Sequence, residues 1–407
     1  MDLPLGDGTI TFSLPDCDVT VLDRPGGDPV DVRPAAAAAL DEPHGPPLDE
    51  RVAADDEVAV VVTDITRATP DDVLLDALFE RLPGPRDRVT VVLGLGLHRP
   101  MSDAEIRAEL GAHADLAVNH DPDAAVEVGR VDGVPVEVHP AVAGADAVLA
   151  TGMVEPHQYA GFSGGAKTVA IGAGGEPVVR YTHGPDLLSE PGVRLGRVEG
   201  NPFREFVDRV GDLAGPDFCV NVTKGPSGIL GVAAGDPRPV VRDLAATARE
   251  ALSVPVDRRY DAAVVGVGAP KDANLYQASR AATYVLLGDY NPVREGGRVV
   301  LPARLDEGAG EGRGERRFYR RLRDATSAAA LYEEMREGYE PGAQRAFVVA
   351  RVLRDHDLYV TNSEHPGVVE ECLMHARDRV EDAVDPGSDV LVVPDGLNTL
   401  IVGATAD

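Results

Sequence analysis

Lysine has nearly vanished from this 407-residue chain: of 39 basic residues only Lys167, Lys224 and Lys271 are lysine, and the rest are arginine. One of the three closes the run Glu155-Pro156-His157-Gln158-Tyr159-Ala160-Gly161-Phe162-Ser163-Gly164-Gly165-Ala166-Lys167. Arginine carries positive charge at least as well, but its guanidinium never offers a free amine. A lysine can act as a nucleophile and bond covalently to a cofactor. Lys167 therefore reads either as a covalent attachment point or as a phosphate-binding or surface cation, and this run alone leaves both open.

Other residues with chemical potential cluster at the ends of apolar runs. Asp64, Thr66 and Arg67 lie in Thr63-Asp64-Ile65-Thr66-Arg67-Ala68-Thr69-Pro70. Thr69 as N-cap with Pro70 at the first helical position sets this loop beside a helix N-terminus, which suits a phosphate or carboxylate. The plain alternative is an ordinary strand-to-helix turn with Arg67 paired to Asp64. His98 follows another apolar run in Gly94-Leu95-Gly96-Leu97-His98-Arg99-Pro100, ahead of a capping box from Ser102 to Glu105. A lone histidine there is more often structural, but the arrangement recurs. His157 and His183 flank Lys167, and Ser163-Gly164-Gly165 offers backbone N–H groups and a hydroxyl as a phosphate cradle. Neither the Walker spacing nor a GxGxxG fingerprint in strand-turn-helix context is present. Later, in Pro270-Lys271-Asp272-Ala273-Asn274-Leu275-Tyr276-Gln277-Ala278-Ser279-Arg280, Gln277 and Arg280 share a helix face suited to a carboxylate, with Tyr276 beside them. A solvated helix start is the alternative there. His120, His356, His365 and His375 have no comparable setting and read as structural or surface residues.

These residues need elements to position them. Short valine-rich runs at 57–63, 88–94, 145–149, 262–266, 298–301 and 389–393 read as strands buried on both faces. Helical stretches at 71–81, 103–111 and 243–252 lie between them. The alternation predicts an α/β protein with parallel sheets, in which ligands gather at the carboxyl ends of strands. A fresh strand after Tyr260 marks a second domain. The expected division is 1–257 and 258–386, with a tail at 387–407 that returns to the first domain. The Gly-, Glu- and Arg-rich run at 306–317 reads as an exposed loop.

Composition excludes several classes. A formal net charge of −29 repels nucleic acid and anionic membranes. Acid-rich, lysine-poor surfaces suit a high-salt cytoplasm, where screening acts over roughly 3 Å at molar ionic strength. A halophilic source is the leading explanation, and a GC-rich codon bias is the alternative. Cys17, Cys219 and Cys372 are odd in number and far apart, which supports neither a disulfide framework nor a CxxC metal site. The N-terminus lacks a basic stretch followed by an apolar one, and nowhere do about 18 apolar residues run together. The expectation is a cytoplasmic protein.

Taken jointly, Asp64-Ile65-Thr66-Arg67, Gly96-Leu97-His98-Arg99-Pro100, the run from Glu155 to Lys167, His183, and Tyr276-Gln277 resemble the nickel-dependent lactate racemase family in order and spacing. The resemblance implies two α/β domains with Rossmann-like, mostly parallel sheets and an active-site cleft between them. It implies a nickel-pincer nucleotide, a pyridinium mononucleotide with two thiocarboxyl-type arms, linked covalently to Lys167 with His183 bonded to nickel. Asp64, Thr66 and Arg67 match a loop that contacts cofactor and substrate, with Ser163, Gly164 and Gly165 joining the cofactor-binding set. His98 and His157 match paired acid/base residues, assisted by Arg67, while Tyr276, Gln277 and Arg280 occupy substrate-contacting positions with Arg67. Arg280 stands where the family's usual residue is lysine, and a planar fork is not a point charge.

The implied reaction inverts C2 of a short, lactate-like 2-hydroxy acid by reversible proton-coupled hydride transfer to the bound pyridinium. Two bases suit it, because inversion needs a proton carrier on each face of the carbon. Alternatives are an epimerase of malate or of a sugar acid, a non-catalytic carrier of the nickel cofactor, or an NAD-dependent dehydrogenase, which the missing fingerprint disfavours. Separate cofactor-synthesis and nickel-insertion proteins are the implied partners.

Overall fold

The computed structural model of the chain describes residues 1–404. Two compact units are formed. The larger comprises Gly26–His183 and Glu190–Ala251, and the smaller Met1–Pro25, Gly184–Ser189 and the chain from Leu252 onward.

The larger unit is built on a six-stranded sheet in the order Gly228–Gly235, Phe218–Gly225, Ala147–Met153, Val58–Thr63, Val89–Gly94, Ala117–Asn119. All neighbours are parallel except the first pair. Its central strands bury both faces, which is why they read as unbroken apolar runs: Val60, Val62, Val91 and Leu93 are fully enclosed against Leu74, Leu75 and Leu78 of the helix Asp71–Phe79. Each such side chain contributes about 1.5–3 kcal/mol through burial.

From the Val58 strand the chain proceeds outward to the Val89 and Ala117 strands, then returns to place Ala147–Met153 on the other side of Val58–Thr63. The strand order thus reverses between these two central strands, and the carboxyl ends at such a switch point are where sheets of this kind bind ligands. The loops that leave these ends carry Asp64 to Arg67 and Glu155 to Lys167.

The smaller unit repeats the plan with a six-stranded, wholly parallel sheet: His375–Arg377, Asp357–Thr361, Val293–Pro302, Tyr260–Val265, Asp389–Val393, Asp18–Val21. Its order reverses between the Tyr260 and Asp389 strands. The helix Leu275–Leu286 follows the first of them and carries Tyr276, Gln277 and Arg280.

Several details differ from the sequence-based expectation. Residues 1–25 group with the smaller unit and the Asp389 strand stays there, rather than 1–257 forming one piece to which the tail returns. Pairing is the reason, because Asp389–Val393 sits between Tyr260–Val265 and Asp18–Val21. Thr69 does not cap the helix that begins at Asp71. The helix has no side-chain cap, and the Thr69 hydroxyl lies 2.8 Å from that of Thr63 instead. The run at 306–317 is loop only as far as Gly312, since a helix spans Arg313–Arg323. The capping box at Ser102 and Glu105 is present as expected. No helix among the described residues is long and apolar enough to cross a membrane.

Candidate active site

The loop after Val58–Thr63 folds back on Asp64. One carboxylate oxygen accepts from the Thr66 N–H at 3.1 Å and the Thr66 hydroxyl at 2.5 Å. The other accepts from His98 Nδ1 at 2.6 Å. Burial alone would raise the Asp64 pKa, but the His98 hydrogen bond and charge, together with the Thr66 bonds, hold it down at about 2. Asp64 is thus ionised and can only accept, so His98 carries its proton on Nδ1. In the neutral form of the ring that leaves the Nε2 lone pair to serve as a base, on a side chain that is 63% exposed.

His157 is arranged in the opposite sense. It is buried, and its Nδ1 accepts from the backbone N–H groups of Tyr159 at 3.3 Å and Ala160 at 3.1 Å. Backbone donors at Nδ1 place the neutral ring's proton on Nε2. The two histidines therefore rest in opposite tautomers, one with a base and one with a proton at Nε2.

Aromatic contacts connect His157 to His183. Tyr159 packs edge-on to both rings, at 5.7 Å from His157 and 5.5 Å from His183, and Phe203 touches both as well. His183 ends the helix Glu176–Thr182, with Nδ1 3.2 Å from the Val179 carbonyl and 3.0 Å from the Thr182 hydroxyl. A carbonyl only accepts, so Nδ1 bears hydrogen and Nε2 holds a lone pair. A helix C-terminus ordinarily favours imidazolium. Here burial, and then the positive charge of Lys167, push the His183 pKa down to about 3. Lys167 itself is buried and enters a short π-helical turn, Thr168–Gly172.

The expected phosphate cradle is corrected by its own hydrogen bonds. The Ser163 N–H donates to the Glu155 carbonyl, the Ser163 hydroxyl to the Met153 carbonyl at 2.6 Å, and the Gly165 N–H to Asn221 Oδ1 at 2.8 Å. Gly164 adopts φ +79°, and a Cβ there would meet Val154 Cγ2 at 2.6 Å and Asn221 Oδ1 at 2.8 Å. The Ser163 N–H and hydroxyl and the Gly165 N–H are therefore engaged by protein acceptors. The turn instead aims Lys167, locked from beneath by the buried Arg204 guanidinium, which donates to the carbonyls of Phe162, Ser163 and Gly164.

Arg67 pairs with Glu155 rather than Asp64, and the other Glu155 oxygen lies 3.3 Å from Lys224 Nζ at the end of the Phe218 strand. Burial would raise the Glu155 pKa, but these two cations hold it below the usual range. Sequence reasoning assigned no role to Glu155, Lys224, Arg204 or Asn221. The scarcity of lysine flagged Lys224 and Glu155 opens the run that carries the resemblance, whereas nothing local signalled Arg204 or Asn221. In the smaller unit Asn274 caps the helix by accepting from the Gln277 N–H at 3.0 Å, and Arg280 Nη1 donates to Gln277 Oε1 at 3.3 Å.

Two Rossmann-like units, histidines at the carboxyl end of a parallel sheet and a buried lysine beside a neutral histidine bring together the kinds of group that proton transfer at a small bound molecule requires. Residues 5–196 match the lactate racemase N-terminal domain and residues 259–402 the lactate racemase C-terminal domain. The chain is 25% identical over 366 residues to a lactate racemase of Lactiplantibacillus plantarum, covering 84% of each. It is 24% identical over 365 residues to one of Thermoanaerobacterium thermosaccharolyticum, again with 84% coverage of each. The fold resembles the lactate racemase apoprotein of the latter organism with a TM-score of 0.87, 23% identity and coverage of 98% of this chain and 99% of that one. A Thermotoga maritima protein is similar with a TM-score of 0.69, 18% identity and coverage of 92% and 99%. The chain belongs to the lactate racemase family, and it is accordingly a racemase, an enzyme of the isomerase class.

Proposed function

We propose that the protein interconverts the enantiomers of a short, lactate-like 2-hydroxy acid, with a nickel-pincer nucleotide attached to Lys167. The observation that carries this reading is the pair of opposite histidine tautomers, because inversion at one carbon needs a proton acceptor on one face and a proton donor on the other. His98 Nε2 takes the C2 hydroxyl proton, steadied by its Nδ1–H bond to Asp64. His157 presents its Nε2 proton to the oxygen on the opposite face, and the roles exchange in the reverse direction. Arg67, kept in place by Glu155, polarises the oxygen or holds the carboxylate. Tyr276, Gln277 and Arg280 contact the substrate.

The family implies a nickel cofactor, and the donor set fits one. His183 stays neutral with its Nε2 lone pair available, the form of imidazole that binds a metal. Among the described residues no three His, Cys, Asp or Glu side chains are grouped to hold a metal. A single imidazole therefore needs further ligands from a non-protein partner, as a pincer provides. The buried Lys167 amine beside His183 is suited to bond that partner. When bound, the pyridinium ring supplies a hydride acceptor, and the chain contributes proton transfer, orientation and exclusion of water. Proteins that build the pincer and insert nickel are the proposed partners, and the cytoplasm is the proposed location.

The test combines intact-mass measurement under denaturing conditions, nickel quantification, and chiral separation of products from enantiopure acids. A covalent adduct mapped to Lys167, lost in Lys167→Arg, with racemisation lost in His98→Gln and His157→Gln, supports the proposal. A loaded protein that inverts no 2-hydroxy acid refutes it.

A further inference from the structure

Arg345 is 3% exposed, yet its Nε and Nη1 have no hydrogen-bond partner. Among the described residues no carboxylate pairs with it, and its guanidinium carbon lies over the face of Tyr276, 5.3 Å from the ring centroid. A contact with a ring face recovers only part of what a guanidinium loses on leaving water. Arg204, buried to a similar degree, is provided for: its two terminal nitrogens donate to three carbonyls, and Asp208 lies 3.7 Å away.

Arg345 stands in the first turn of the helix Gln344–Leu353, which has no side-chain cap and no acidic residue in that turn. Helical side chains lean toward the N-terminus, so this guanidinium is carried back over the end where the dipole is positive and the first N–H groups have no intrahelical partner. Tyr276, which lies under it, belongs to the first turn of the neighbouring helix Leu275–Leu286. That start is capped by Asn274, so the demand for negative charge centres on Arg345.

Size and charge select the anion. A group so enclosed admits only a small partner, and the net charge of −29 on the chain disfavours multivalent anions more than monovalent ones. A monatomic ion also needs no fixed donor geometry, whereas a carboxylate prefers a planar fork and brings a carbon chain with it. We infer that Arg345 and the start of the helix Gln344–Leu353 bind a halide ion, chloride being the common one. The site does not depend on the proposed reaction.

The experiment follows thermal unfolding of the purified wild type, Arg345→Met and Arg345→Lys while sodium chloride replaces sodium gluconate at constant ionic strength. Screening is then the same throughout, and only specific binding moves the midpoint. Above saturation each tenfold rise in chloride should raise the wild-type midpoint by roughly 3–5 °C, as ligand linkage predicts for a unit of this size. Bromide should substitute, Arg345→Met should not respond, and Arg345→Lys should keep part of the response. In gluconate alone Arg345→Met should unfold no lower than the wild type, because it removes an unpaired buried charge. The chloride NMR line should be broadened by the wild type, sharpened again by bromide, and not broadened by Arg345→Met.

A midpoint that stays constant as chloride replaces gluconate would overturn the inference. A halide response that persists in Arg345→Met would place the ion elsewhere, and protection by acetate but not by chloride would give the site to a carboxylate. Destabilisation of Arg345→Met in gluconate, relieved by lysine, would make Arg345 a structural residue.

Discussion

Replacing Asp71 with asparagine should stabilise the protein, and increasingly so as pH rises. Asp71 is buried just after the loop that carries Asp64 and Arg67. Its carboxyl accepts from the Thr151 hydroxyl and, at 3.2 Å, from that of Thr63, tying the ends of two central strands to the start of a helix. Burial is the largest influence on it, opposed by these two hydrogen bonds and assisted by Glu109 and Asp72, and its pKa rises from 3.8 to about 7. A carboxyl whose pKa is raised on folding favours the native state below the unfolded value and progressively opposes it as pH climbs through the folded one. Between pH 5 and pH 8 the wild type therefore gives up about 2.5 kcal/mol at this residue, because each pH unit over which the folded chain keeps a proton that the unfolded chain has lost is worth about 1.4 kcal/mol. Asparagine has the shape of the protonated acid, can serve both threonines and does not titrate. The assay is denaturant unfolding of both proteins at the two pH values, in which every other titration cancels. The gap in favour of Asp71→Asn should widen by about that amount. A gap that is constant with pH, or a variant less stable than the wild type at pH 8, would show that Asp71 is not a buried acid held neutral.

Other expectations concern the imidazoles. Asp64→Ala removes the acceptor that holds the His98 proton on Nδ1, so kcat for inversion should fall about 10- to 100-fold while any adduct on Lys167 persists, read by chiral assay and intact mass. Equal activity in the variant would remove Asp64 from the mechanism. His183, with its pKa depressed to about 3, should show no ring titration between pH 8 and pH 4.5 in heteronuclear NMR of the nickel-free chain. Because folding lowers this pKa, the residue contributes fully to stability above about pH 6.5 and loses that contribution as pH falls toward 3. A midpoint near 6 would contradict the neutral state ascribed to burial and the charge of Lys167.

Much of the architecture was legible in the residue order because burial on both faces writes itself into local composition. The valine runs at 57–63, 88–94 and 389–393 became Val58–Thr63, Val89–Gly94 and Asp389–Val393, within a residue at each end. The box from Ser102 to Glu105 was equally local, needing contacts only three residues apart. A local signal can have more than one physical cause. Glycines at 164 and 165 announced a close approach to the backbone, and on the side a Cβ would take the approaching groups are Val154, Asn221 and Val241. Thr69 had the chemistry of a cap, yet a nearby hydroxyl on Thr63 claimed it.

Residue type and spacing by themselves determined that this chain carries paired histidines, a singular lysine and parallel α/β sheets, since those depend on identity and short-range periodicity. Only the tertiary structure decided the proton states and charge balance. His98 owes its tautomer to Asp64, His183 its neutrality to burial and to Lys167, and Glu155 its charge to Arg67 and Lys224. Those properties come from neighbours that are mostly distant in the chain, through hydrogen bonds and desolvation that exist only once the strands have been brought side by side.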